Sequence, residues 1–286
     1  MKQKSIFQRF YFCIEREGFF KTLLISLKVL INMILKPIYR NYNSIKGKLS
    51  DKVINKPYQV VEVPTNSINE CLCPYPHSHI LWLNTDSELC RPSISEVRVE
   101  KFLFLQKRIV GSIKSGDWDT KRTKFEDQIY YISFNERFLK NKKWEETKYY
   151  KLFNKMLQEG KPLRGFFVSW SSFKKKKLKE WEQLYNYIKK HGYKSQDKLK
   201  NNKLRKVYKI DDSSNEIEVA VSRKGEILFV DARHRLSIAK ILGIKKIPVI
   251  VNVWHRDFID EVKRKTKNKN PTPKDAINYA LKKKRK

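Results

Sequence analysis

The 286-residue chain predicts a mixed α+β fold, a small mixed sheet with helices packed on it. Three observations carry that reading. A strand, a turn, a helix and a second strand follow one another without interruption from Gly225 to Val253. Two segments, Trp144–Gly160 and Leu178–His191, repeat apolar residues at helical spacing. Two others, Tyr58–Pro64 and Ser93–Leu105, alternate like strands. Together they place one domain over 51–256, with a helical insertion at about 71–177 and a core at 178–256. A basic N-terminal segment with an amphipathic helix (1–50) precedes it, and a flexible basic tail (257–286) follows.

The N-terminal segment is strongly apolar over Phe19–Pro37. Lys21, Lys28 and Lys36 break it, so its longest uncharged run is Val29–Leu35, well under the roughly 20 residues a spanning helix needs. On a helical wheel Lys21, Lys28, Asn32 and Lys36 fall together and leave a wide apolar face. That face suits either an anionic membrane surface or the protein's own core. No small-residue cleavage site follows, so we expect no signal peptide.

In the middle of the chain, Gly116–Asp119 (GDWD) reads as a turn. The helix over Trp144–Gly160 carries a stripe of Tyr149, Leu152, Phe153, Met156 and Leu157, with Gly160 as its stop. The helix over Leu178–His191 buries Leu178, Trp181, Leu184, Tyr185 and Ile188. Lys174–Lys177 stands at its start, where the dipole disfavours cations, so the run reads as a surface contact. The tail from Lys263 is basic and poor in apolar residues, with a short helix placed over Asp275–Leu281.

The most specific stretch lies at the strand–helix junction. Ile227–Val230 is the strand, bounded by Gly225. Leu236, Ala239, Ile241 and Leu242 then recur at near-helical spacing, Gly243 stops the helix, and Ile247–Val253 is the next strand. Arg233, His234 and Arg235 therefore stand beside the free N–H groups of a helix start, a natural place for phosphate. At the level of single residues two alternatives stay open: Arg235 pairing with a core carboxylate, and His234 as a satisfied core imidazole. Asp231 is placed either to act as a base or metal anchor or to cap the helix. Asp211, Asp212, Glu216 and Glu218 stand before the preceding strand, and Glu218 faces away from the apolar side of its own. No Walker-type glycine loop, HExxH or nucleophile elbow is present.

These residues resemble the ParB/sulfiredoxin-like superfamily, whose members carry G-x-R-R or G-x-H-R between a strand and a helix. The matching pieces are ARHR at Ala232–Arg235, SIAKILG at Ser237–Gly243 and IPVIV at Ile247–Val251. KKHGYKSQ at Lys189–Gln196 resembles the family's helix ending in Gly with a Gln after it, and Pro57–Ile68 its opening strand. Ala232 stands where the family has its first glycine. Arg233 stands where sulfiredoxins carry the reactive cysteine, so sulfinic acid reduction is not implied. The resemblance implies a phosphate grip built from Ala232, Arg233, His234, Arg235 and Ser237, holding ATP or CTP with Mg2+ as a candidate ion. It implies phosphotransferase or NTPase chemistry with Asp231 and His234 as the catalytic residues. Other members bind DNA or are nuclease-like, which keeps a nucleic-acid-binding protein and a non-catalytic scaffold at an anionic membrane surface as alternatives. The helix-turn-helix that partition proteins use to read specific DNA is not evident after Val253.

Composition sets the outer limits. Lys and Arg number 63 against 30 Asp and Glu, a net charge of +33, which favours a polyanionic partner such as nucleic acid or anionic lipid. Four cysteines make no disulfide framework in a chain of this size, so a reducing, cytoplasmic location is expected, with peripheral membrane contact as an option. Cys71, Cys73, His77 and His79 lack the spacing of a zinc site and read as an ordinary loop, so no metal ligands are assigned.

Overall fold

β-branched and aromatic residues concentrate where the strands form. In the computed structural model, residues 53–72, 110–120, 122–158, 169–195, 199 and 216–283 are described. The chain divides into two units, Met1–Ser50 and Asp51–Lys286, and all of these residues belong to the second. The expected amphipathic helix in 1–50, the strand over Ser93–Leu105, and Cys73, His77, His79, Gln196, Asp211 and Asp212 lie outside the described residues.

The strands are β1 (Val61–Pro64), β2 (Glu70–Leu72), β3 (Ser112–Lys114), β4 (Arg122–Lys124), β5 (Ile217–Val221), β6 (Ile227–Asp231) and β7 (Lys246–His255). They form one mixed sheet in the order β1-β7-β5-β6-β2-β4, with β3 also paired to β7. β7 is long enough to take two neighbours on one edge. β1 runs antiparallel to its first half (Val63 opposite Ile247), and β3 runs parallel to its end (Ile113 opposite Trp254). β5 lies parallel on its other side and turns back antiparallel into β6, which runs parallel to β2.

One face of this sheet carries Ile217, Val219, Val221, Ile227, Phe229, Ile247, Val249 and Val251 in a single apolar cluster. Helix α4 (Arg233–Ile241) closes on that cluster with Leu236 and Ala239. Ile238, a short rotation away, joins a second, aromatic cluster made largely by α1 (Ile129–Phe138), α2 (Lys148–Gln158) and α3 (Lys179–His191). α4 is thus sandwiched between sheet and helical layer, which explains why it is apolar around most of its circumference. Tyr130, Phe134, Trp144, Tyr149, Phe153, Phe173 and Trp181 fill the second cluster. Each such ring contributes on the order of 1.5–3 kcal/mol by leaving water. Glu182 locks the layer by accepting hydrogen bonds from Trp144 Nε1 (3.0 Å), Arg137 Nε (3.1 Å) and Arg137 Nη2 (2.8 Å).

The predicted mixed α+β class holds, with three departures in detail. The region 71–177 is not purely helical: β3 and β4 are built into the sheet. The four-lysine run forms a π-helical turn (Lys174–Leu178) leading into α3, its charge balanced by Lys174–Glu145 and Lys177–Glu180 ion pairs at 2.5 and 2.7 Å. The expected flexible tail is replaced by two packed helices, α5 (Arg256–Thr266) and α6 (Pro273–Lys283). Phe258, Ile259, Val262, Ala276, Ile277 and Ala280 are buried on the sheet cluster. Few apolar residues suffice there because every one falls on the inner stripe of its helix.

Candidate functional site

Strand β6 ends at Asp231, and the chain enters α4 through Ala232, which is left-handed at φ +72° and ψ 40°. The β5–β6 register shifts beside this point, pairing Glu218 with Asp231 and Val219 with Phe229 and so skipping Val230. One oxygen of Asp231 accepts the Ala232 N–H at 2.6 Å, which gives the carboxylate the capping role. The Ala232 carbonyl accepts from both Arg235 N (3.1 Å) and Leu236 N (3.2 Å), so the helix begins tightly at this corner.

Successive residues of a helix are rotated by about 100°, and the three basic or protonatable side chains go to three different neighbours. Arg233 is 4% exposed and lies over the Tyr130 ring, 5.3 Å from its centroid. On the same flank stands Cys71: burial pushes its thiol up, Arg233 acts against that, and Gln128 Nε2 donates to its sulfur at 2.7 Å. A thiol so buried and raised is an inert core group. His234 turns into the aromatic layer instead. Its ring meets Tyr130 edge-on at 4.8 Å, lies 4.8 Å from Trp181 and 5.9 Å from Phe134. The open choice for His234 thus has a structural answer: it packs as a core imidazole.

Arg235 takes the flank opposite Arg233 and reaches Tyr193, just past the C-terminus of α3. Its Nη1 is buried and has no hydrogen-bond partner. Burial pushes the Tyr193 phenol up to about 12, Arg235 pulls it down, and Glu216 pushes it up. The two groups interact through space, yet the Tyr193 hydroxyl is itself buried without a partner in hydrogen-bond geometry. Ser237, one turn on from Arg233, is fully buried and its Oγ also has no partner. Glu218, on the other face of the sheet, accepts from Asn252 Nδ2 and takes no part in this cluster.

The predicted residues therefore share one helical turn without converging as a single set. Arg235 with Tyr193 is the group whose donors lack acceptors. Tyr193 was not singled out from the sequence; its place directly after Gly192 at the end of a helix was the available signal. Among the described residues no group of three or more His, Cys, Asp or Glu is arranged to hold a metal ion. Asp231 alone could anchor an ion that arrives with phosphate oxygens, the usual way Mg2+ is bound. Among the described residues no helix is long and apolar enough to cross a membrane. No family model, curated protein or solved structure matches the chain.

Proposed function

We propose that this chain is a nucleotide-phosphate-binding protein of the ParB/sulfiredoxin type, holding ATP or CTP at the first turn of α4 and acting as a phosphotransferase or NTPase. The observation that carries the reading is Arg235: a guanidinium nitrogen buried at a helix start with nothing to bond. A buried donor left unsatisfied costs about 1–3 kcal/mol, more when charged, and a bound oxyanion removes that cost. The unpartnered Ser237 hydroxyl and the N-terminal dipole of α4 support the same occupant. In this reading Arg235 neutralises phosphate oxygens and Arg233 supplies a second positive charge from the other flank. Asp231 anchors Mg2+ carried by the triphosphate, and Mg2+ would supply charge compensation during phosphoryl transfer. His234 holds α4 in the aromatic layer and stays outside the chemistry.

Titration of labelled ATP and CTP, with and without Mg2+, against the intact chain and Arg235→Ala tests this. The intact chain should bind one of them, and the variant should lose at least tenfold in affinity, the weight of one charge-assisted hydrogen bond. Equal binding by both proteins would remove Arg235 from the site. Binding of duplex DNA that falls steeply with salt, and is untouched by Arg235→Ala, would favour the nucleic-acid alternative that the net charge of +33 allows.

A further inference from the structure

Two donors beside each other without an acceptor need a third group between them. The Tyr193 hydroxyl and Arg235 Nη1 are both buried, both lack hydrogen-bond partners and lie close enough to influence one another electrostatically. The Tyr193 ring is held rigidly, because it packs against both the sheet cluster and the aromatic cluster. It cannot swing away to find water. Glu216, buried at the start of β5, sits near enough to act on the same hydroxyl.

The geometry points to Tyr193 as a ligand-contacting residue that, with Arg235, clamps one phosphate oxygen of the nucleotide between two donors. This rests on the proposed nucleotide reading and adds a residue from outside the strand–helix junction to it. A phenol donor beside a guanidinium favours an acceptor that carries full negative charge and has no proton of its own to give. Glu216 sharpens the choice, since a buried carboxylate next to the clamp penalises any anion that is not fully engaged by both donors. The substrate group selected is therefore a dianionic or bridging phosphate, in preference to a carboxylate ligand.

The test uses Tyr193→Phe in the full-length chain, which removes the hydroxyl and keeps the ring. ATP, CTP and inorganic pyrophosphate are titrated, and the thermal midpoint of the ligand-free protein is recorded alongside. We expect affinity for the bound nucleotide and for pyrophosphate to fall about tenfold, the usual effect of one hydrogen bond to a charged group. The ligand-free midpoint should stay level or rise, because the lost hydroxyl had no partner to lose. A lower ligand-free midpoint would overturn the proposal by showing that the hydroxyl supports the fold. Unchanged affinity in Tyr193→Phe, with Arg235→Ala still weakened, would also overturn it while leaving the nucleotide reading standing. If the intact chain binds neither nucleotide nor pyrophosphate, both fall together.

Discussion

At Ala232 the chain turns from β6 into α4 at φ +72°, a conformation that costs a residue with a Cβ about 1–2 kcal/mol. The resembled family has glycine at this corner, and the left-handed backbone supplies the physical reason. Ala232→Gly should relieve the strain while giving back part of the gain as chain entropy in the unfolded state. The expected net effect is a stabilisation of about 0.5–1 kcal/mol, read as a higher urea midpoint at unchanged slope. A lower midpoint would mean that the turn is not the strained element. The basic character of this corner was legible in the sequence, because β-branched residues before it and a helical stripe after it mark the junction. The destinations of Arg233, His234 and Arg235 were not. Their partners Tyr130, Trp181 and Tyr193 lie roughly 40–100 positions earlier, at distances no local pattern encodes. Sequence spacing placed three charges together, and helical rotation sent them apart.

The β5–β6 hairpin shows how one element fastens several others. Gly225 N donates to Ser222 O (2.9 Å) and Ser222 N to Glu226 O (3.0 Å), closing a three-residue turn that needs a left-handed glycine at φ +85°. Arg223 in the same turn bonds Asp119 through both Nε and Nη2, and Asp117 at 2.7 Å, so the GDWD turn is held down on the hairpin. His255 finishes the clasp. Its Nδ1 accepts the Asp257 N–H at 3.2 Å and caps α5, which leaves Nε2 to donate to Gly116 O at 2.9 Å. A Cβ at position 225 would meet Phe258 of α5 at 2.7 Å. Gly225→Ala combines left-handed strain with overpacking and should destabilise by about 2–4 kcal/mol in chemical denaturation. A loss under about 1 kcal/mol would show that α5 yields readily at this contact. The glycine and the turn were readable as punctuation, and α3 and α4 fall close to their predicted bounds. The helices α5 and α6 were not read because their surfaces are nearly all lysine and arginine, and burial there is decided by a narrow stripe against a sheet the local sequence does not contain.

Across the whole molecule, charge sets the response to acid. Among the described residues five carboxyls are held below their ordinary values. Burial pushes Asp119, Glu136 and Glu261 up, and hydrogen bonds from Arg223, from the Lys148 amide and Lys142, and from Lys283 outweigh it. Glu145 is lowered chiefly by Lys174, and Asp275 by the Thr272 amide. A carboxyl with a depressed folded value stabilises above its unfolded value, and that contribution is lost as pH falls through the folded one. The window opens near pH 4 for ordinary Asp and Glu and extends below it. Over the same range the 30 acidic side chains lose their charge, and 63 Lys and Arg are left to repel one another. The melting temperature should therefore change little from about pH 7 to 5 and fall steeply below about pH 4. Salt separates the two causes. Near neutrality it weakens ion pairs and screens repulsion together, so its net effect is small. In acid the ion pairs are already gone and only repulsion remains, so about 0.5 M salt should raise the melting temperature at pH 3. A midpoint that drops on adding salt at that pH would mean that carboxylate pairs still hold the fold, and that their pKa values lie lower than this network implies.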